Sequence, residues 1–208
     1  NMKQIGTAVM MYTDDYEGTY PKNRNYSGTG MAYWTWKRAI FPFVKSYEAF
    51  KCPSVRGLWS TVSYTGFPGD ESNLRPEFRN DKSQWMPNSY AYSGGFFHEL
   101  SSTDGKERPR RLAECKEPAN TIFILNSRLG YPDLGPWMMN TYYTLDGKPG
   151  SNDKAGPFAV HDSGRLVFIM ADGHVQTMKL IQTVRPKQMW HYRNEPQSYY
   201  ESLAAGMA

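Results

Sequence analysis

Residues 165–180, RLVFIMADGHVQTMKL, constrain the fold of this chain more than any other stretch. Two apolar runs flank Asp172-Gly173, a pair that favours the positive φ angles of a two-residue hairpin turn. The sequence predicts two antiparallel strands joined there, with Met170 opposite Val175 and Phe168 opposite Thr177. The first strand is apolar on both faces, as a central strand must be. The second alternates, with His174, Gln176 and Met178 on one side. Asp172 and Gly173 are assigned to the turn and to no chemistry.

The wider segment HDSGRLVFIMADGHV, 161–175, carries two histidines and two aspartates and invites a metal or acid–base reading. The strand between them argues against it. At the rise of an extended chain, His161 and His174 lie about 20 Å apart, too far to share one ion. GxSxG, P-loop, GxGxxG and HExxH patterns are absent from the chain. No catalytic set emerges, and the expectation is a protein that is not an enzyme.

At 208 residues, with 39% hydrophobic and 21% charged residues, the chain fits one globular domain over 1–208. No apolar run is long enough to span a membrane. The net charge of +4 is mild, and the densest basic run, KERPRR at 106–111, reads as a solvated loop, so no nucleic-acid partner is expected. Met2, Ile5, Val9, Tyr12 and Tyr16 recur at helical spacing from the first residues. The chain begins at Asn1 with that helix already under way, which suggests a natural protein extending further in the N-terminal direction. Gly18 and Pro21 end the pattern. MAYWTWKRAIFPFVKSYEAF, 31–50, reads as a second helix with Trp36, Ile40 and Val44 on one stripe, kinked or divided by Pro42. Strands are expected at 88–97 and 121–127, and a short helix at 197–205. Residues 57–88 and 128–157 are rich in Gly and Pro and read as long irregular loops. Helices first, then antiparallel strands, make the chain α+β.

Three further sets of residues are candidates. Cys52 and Cys115 are either two free, half-buried thiols or one disulfide; a bridge over that span would add roughly 4 kcal/mol on the chain-entropy model. Asp146, Asn152 and Asp153 offer oxygen ligands to a hard cation such as calcium, without EF-hand spacing, and Asp14, Asp15 and Glu17 form a weaker acidic group. Trp59, Trp85 and Trp137 fall in loops, where exposed indoles form stacking platforms for sugars or proteins and buried ones cover the core.

Several pieces together resemble a known family. NMKQIGTAVMMYTDDYEGTYP is similar to the segment that follows the hydrophobic helix in bacterial prepilin-like proteins, FKCPS resembles their cysteine-proline step, and HDSGRLVFIMADGHV resembles their C-terminal signature. That signature places nine residues between a histidine and Asp-Gly, whereas ten stand between His161 and Asp172 here. The resemblance implies a pilin-like fold like that of type II secretion pseudopilins, with an N-terminal helix packed on an antiparallel sheet and long loops outside it. It implies an extracytoplasmic, membrane-anchored component of a secretion or fimbrial system whose partners are other pilin-like subunits or secretion proteins. The isolated domain is then expected to be monomeric. An oxidising compartment would favour a Cys52–Cys115 bridge, and bound calcium in some pseudopilins raises the interest of 145–153. The alternatives are a displayed glycan- or protein-binding module using the loop tryptophans and, more remotely, a metal-dependent hydrolase around His161.

Overall fold

The computed structural model describes residues 1–26, 32–54, 87, 89–98, 109–127, 133–136, 139, 158, 161, 164–191 and 197–206. Helix α1, Met2–Asp15, buries Met2, Ile5, Gly6, Ala8, Val9 and Thr13, the stripe that the helical spacing predicts. The stripe ends sooner than expected: Tyr16 is 53% exposed and stacks on Tyr12 at 4.1 Å. Glu17 and Gly18 both take positive φ, and Gly18 N–H reaches back to Thr13 O at 2.8 Å, which closes the helix. At the other end the Asn1 amide does not cap α1. It donates to Lys51 O at 2.7 Å, while Gln4 Nε2 donates to Val44 O at 3.2 Å, fastening α1 to the segment beside it.

That segment corrects the expected helix over 31–50. Strands β1, Arg24–Tyr26, and β2, Ala32–Thr35, form a two-stranded antiparallel sheet first. Helix α2 is only Trp36–Val44, and it carries Pro42 in its last turn without dividing. The missing N–H there costs one helical hydrogen bond at most, and Lys45 ends the helix at φ 55. Trp36, Ile40 and Val44 are buried as the stripe predicts. A 3-10 turn comes next at Glu48–Phe50.

The main sheet has five strands in the order β5-β3-β4-β6-β7. Its members are β3 (Tyr90–Ser93), β4 (Ile122–Asn126), β5 (Asp133–Leu134), β6 (Arg165–Met170) and β7 (Val175–Lys179). All neighbours are antiparallel except β5, which pairs parallel to β3, so the sheet is mixed rather than wholly antiparallel. Where a strand was expected over 88–97, β3 stops at Ser93 and a short helix α3, Gly94–His98, begins. The glycine pair permits that close turn, since a Cβ on Gly95 would lie 2.6 Å from Trp190 O.

Both faces of the sheet are covered, which is why β4 is buried throughout and apolar up to its last residue, Asn126. One face packs Ile5, Val9, Trp36, Ile40 and Phe50 against Tyr92, Phe123, Ile124 and Ile169. At its centre Phe123 meets Tyr20, Tyr92 and Phe96 at ring separations of 4.9, 4.7 and 5.0 Å. The other face carries Ile122, Leu125, Leu166, Phe168, Met170 and Met178. A bulge between Ile122 and Ile124 lets consecutive residues of β4 serve the same face.

The second face is sealed by the C-terminal residues beyond β7: a 3-10 turn at Leu180–Thr183, then Val184 and Trp190, then helix α4, Gln197–Gly206, through Tyr200. Met189 O accepts the Ile122 N–H at 2.6 Å, and Lys187 pairs with Glu117, so the tail is bonded to the entry of β4. Helix, mixed sheet and C-terminal layer make one α+β unit among the described residues.

Candidate functional site

The hairpin forms where the sequence places it, but with a different turn. Gly173 N–H donates to Met170 O and Met170 N–H to His174 O, both at 2.9 Å. Gly173 has φ +87, whereas Asp172 is not among the residues of positive φ. The loop therefore has three residues, a tight turn through Ala171 and Asp172 followed by a left-handed glycine. The predicted two-residue turn, with positive φ at both positions, is corrected by that geometry. The cause is local: Asp172 Oδ1 accepts the His174 N–H at 3.1 Å, holding the aspartate in an ordinary conformation.

The extra loop residue shifts the strand register by one. Val175 pairs with Ile169, Gln176 with Phe168 and Met178 with Leu166, in place of the expected Met170–Val175 and Phe168–Thr177 pairs. The shift sets Met178 beside Leu166 on the tail-covered face and turns Val175 toward the helix-covered face.

Asp172 Oδ1 also lies 2.6 Å from His174 Nδ1. A carboxylate only accepts, so Nδ1 carries the proton of that contact. Both side chains are exposed, and the pair sits on a turn held from two other sides. Gly6 of α1 approaches so closely that a Cβ there would lie 2.4 Å from Gly173 O. The buried Tyr20 hydroxyl donates to Ala171 O at 2.7 Å. Beside it, Ala171 N–H donates to Thr121 O at 2.8 Å. Burial pushes the Cys115 thiol up, which disfavours a thiolate next to the pair. The Tyr20 hydroxyl is committed to its carbonyl. The arrangement fixes a turn; it supplies no activated nucleophile.

The remaining predicted residues fall in separate places. His161 precedes β6 and His174 comes after it, and the six-residue strand between them sets its own ends about 17 Å apart. His161 O accepts the Gly164 N–H at 3.1 Å, and its Nε2 is buried with no hydrogen-bond partner among the described residues. Cys52 and Cys115 lie in the same core cluster as separate, buried free thiols, the first of the two alternatives that the sequence leaves open. Their neighbours differ: Cys52 adjoins the Tyr90 hydroxyl and Cys115 the Thr121 hydroxyl.

Asp146, Asn152, Asp153, Trp59, Trp85 and Trp137 lie outside the described residues. Among the described residues, no group of three or more His, Cys, Asp or Glu is placed to hold a metal ion, and no helix is long and apolar enough to cross a membrane. Arg110, at the end of the run expected to be solvated, is instead 2% exposed, with Glu114 Oε2 3.9 Å from its guanidinium.

Sequence reasoning missed Gly6 and Tyr20. A lone glycine inside an apolar helical pattern is the usual sign of close packing, and Gly6 carries that sign. Tyr20, in a Gly- and Pro-flanked loop, carries none.

Burial pushes the Tyr20 hydroxyl far up, with smaller contributions from Cys115 and Asp172; burial likewise raises Tyr90. A folded-state value above the unfolded one means that the native state retains protons the unfolded chain releases. The stability from these hydroxyls is therefore complete below about pH 10 and falls as pH rises past it. Alkaline titration should show tyrosinate absorbance from Tyr20 and Tyr90 appearing together with loss of circular dichroism. Full tyrosine ionisation with the native signal intact would contradict the burial.

No family model matches the chain, and comparison with the curated proteins and with the solved structures returns no match.

Proposed function

We propose that the chain is a pilin-like component of a secretion or fimbrial assembly at the cell envelope, outside the cytoplasm, acting by protein–protein contact and not by catalysis. The observation that carries this reading is the seating of α1. The helix lies across the sheet and meets the β6–β7 turn through Gly6 and Gly173, joining the two ends of the chain that resemble prepilin-like proteins. The conspicuous turn residues support it as well, because Asp172, Gly173 and His174 are occupied in shaping the turn that receives the helix. Other pilin-like subunits or secretion proteins are the partners in this reading.

Cross-linking of intact cells that make the protein, followed by envelope fractionation and mass spectrometry of the cross-linked species, tests it. The expected result is a ladder of larger species in the envelope fraction that contains further pilin-like subunits. A protein recovered only from the cytoplasm, with no cross-linked species, would remove the proposal.

A further inference from the structure

Strand β7 is the long edge of the five-stranded sheet, since β5 at the opposite edge has two residues. An open edge offers its outward N–H and C=O groups to any passing strand, including the same strand of a second copy. The outward groups here are set by the register. Met170 N–H points at His174 O, whereas Val167 N–H points the other way, to Asn126 Oδ1 at 3.0 Å. Leu166, Phe168 and Met170 thus bond toward β7, and their partners Met178 and Gln176 bond back. Val175, Thr177 and Lys179 are left facing outward.

Two of these positions are already occupied by the protein's own side chains. Arg165 Nη2 donates to Thr177 O at 3.4 Å. Gln182, carried round by the 3-10 turn directly after β7, accepts the Lys179 N–H through Oε1 at 2.8 Å. The side chains of Gln176, Thr177 and Lys179 are exposed, so no other element of the described fold lies over them.

We infer that Arg165 and Gln182 are guards of this edge, which keep β7 of a second copy from adding to the sheet. A strand aligned antiparallel on β7 needs successive donor and acceptor pairs at Thr177 and Lys179. With the Thr177 acceptor and the Lys179 donor taken, it finds the Val175 groups, the Thr177 N–H and the Lys179 C=O, and no complete donor and acceptor pair beyond Val175. The inference is independent of the assembly reading. If both hold, contacts between subunits form elsewhere than along this edge.

The test is the double variant Arg165→Ala/Gln182→Ala, with each single variant beside it, studied by sedimentation velocity over a range of protein concentration and by amide hydrogen exchange. A synthetic peptide of residues 174–180 serves as a probe strand. The unaltered protein should neither bind the peptide nor gain protection at Val175 and Thr177 as concentration rises. The double variant should bind the peptide, sediment faster at high concentration, and exchange those two amides on the order of tenfold more slowly. A double variant that sediments like the unaltered protein and ignores the peptide would overturn the inference, as would peptide binding by the unaltered protein. Should the double variant fail to unfold cooperatively, the peptide assay on the Gln182→Ala protein decides the question alone.

Discussion

Replacing Gly6 with valine destabilises the protein by about 3 kcal/mol, the upper part of the range for overpacking a closed interface. The space at Gly6 is filled by backbone. A Cβ would stand 2.4 Å from Gly173 O and 3.3 Å from Ile169 Cγ2. A carbonyl in a hydrogen-bonded turn cannot rotate away as a flexible side chain can, so α1 must lift off the sheet or the turn must deform. Helix propensity makes the alanine variant a sign test. Propensity alone says that Gly6→Ala stabilises by about 1 kcal/mol, whereas the clash says that it destabilises. Urea unfolding of both variants, read as a fall in midpoint at unchanged slope, checks the expectation. An alanine variant as stable as the original would show that α1 is not held against the turn at this distance.

The same contact shows what the sequence could and could not reveal. The apolar stripe of α1 and the strands around 121–127 and 165–180 were legible because their periodicity reports directly which side is buried. Register was not legible. Asp-Gly fits a two-residue turn and a three-residue turn equally well, and the choice fell to the Asp172 carboxylate bonding to the His174 N–H. Pro42 suggested a kink but costs little in a last turn, which no residue-level rule reveals without knowing where the helix ends. The buried Arg110 escaped notice because its neighbours in sequence are basic while its neighbour in space, Glu114, is the one that counts. Of the site, the turn was legible. Its closure by Tyr20, 151 positions away in sequence from the Ala171 carbonyl it serves, was not. That Cys52 and Cys115 stay separate thiols inside one core cluster is a matter of tertiary placement, and spacing holds no information on that.

The C-terminal layer is the second place where one side chain decides much of the stability. Trp190 is fully buried, its ring meets Phe158 edge-on at 6.3 Å, and its indole N–H donates to Thr183 Oγ1 at 2.9 Å. Trp190→Ala removes the ring and leaves a cavity against the sheet, at a cost of about 4 kcal/mol. It also leaves Thr183 without that donor. Trp190→Phe retains most of the apolar surface and loses the hydrogen bond, at a cost of about 2 kcal/mol. The difference separates the layer's packing from its polar contact. For a domain of this size, each kcal/mol moves the thermal midpoint by about 2–4 °C, so calorimetry of the two variants resolves them. If the residues after Thr183 formed a loosely attached tail, both variants would melt with the original protein and only local exchange would change. The backbone bond from Ile122 N–H to Met189 O argues for the first outcome, because it ties the residue next to Trp190 to the strand at the middle of the sheet. Loss of Trp190 then loosens β4, the strand that both cores share, and the fall in stability is felt on the α1 face as well.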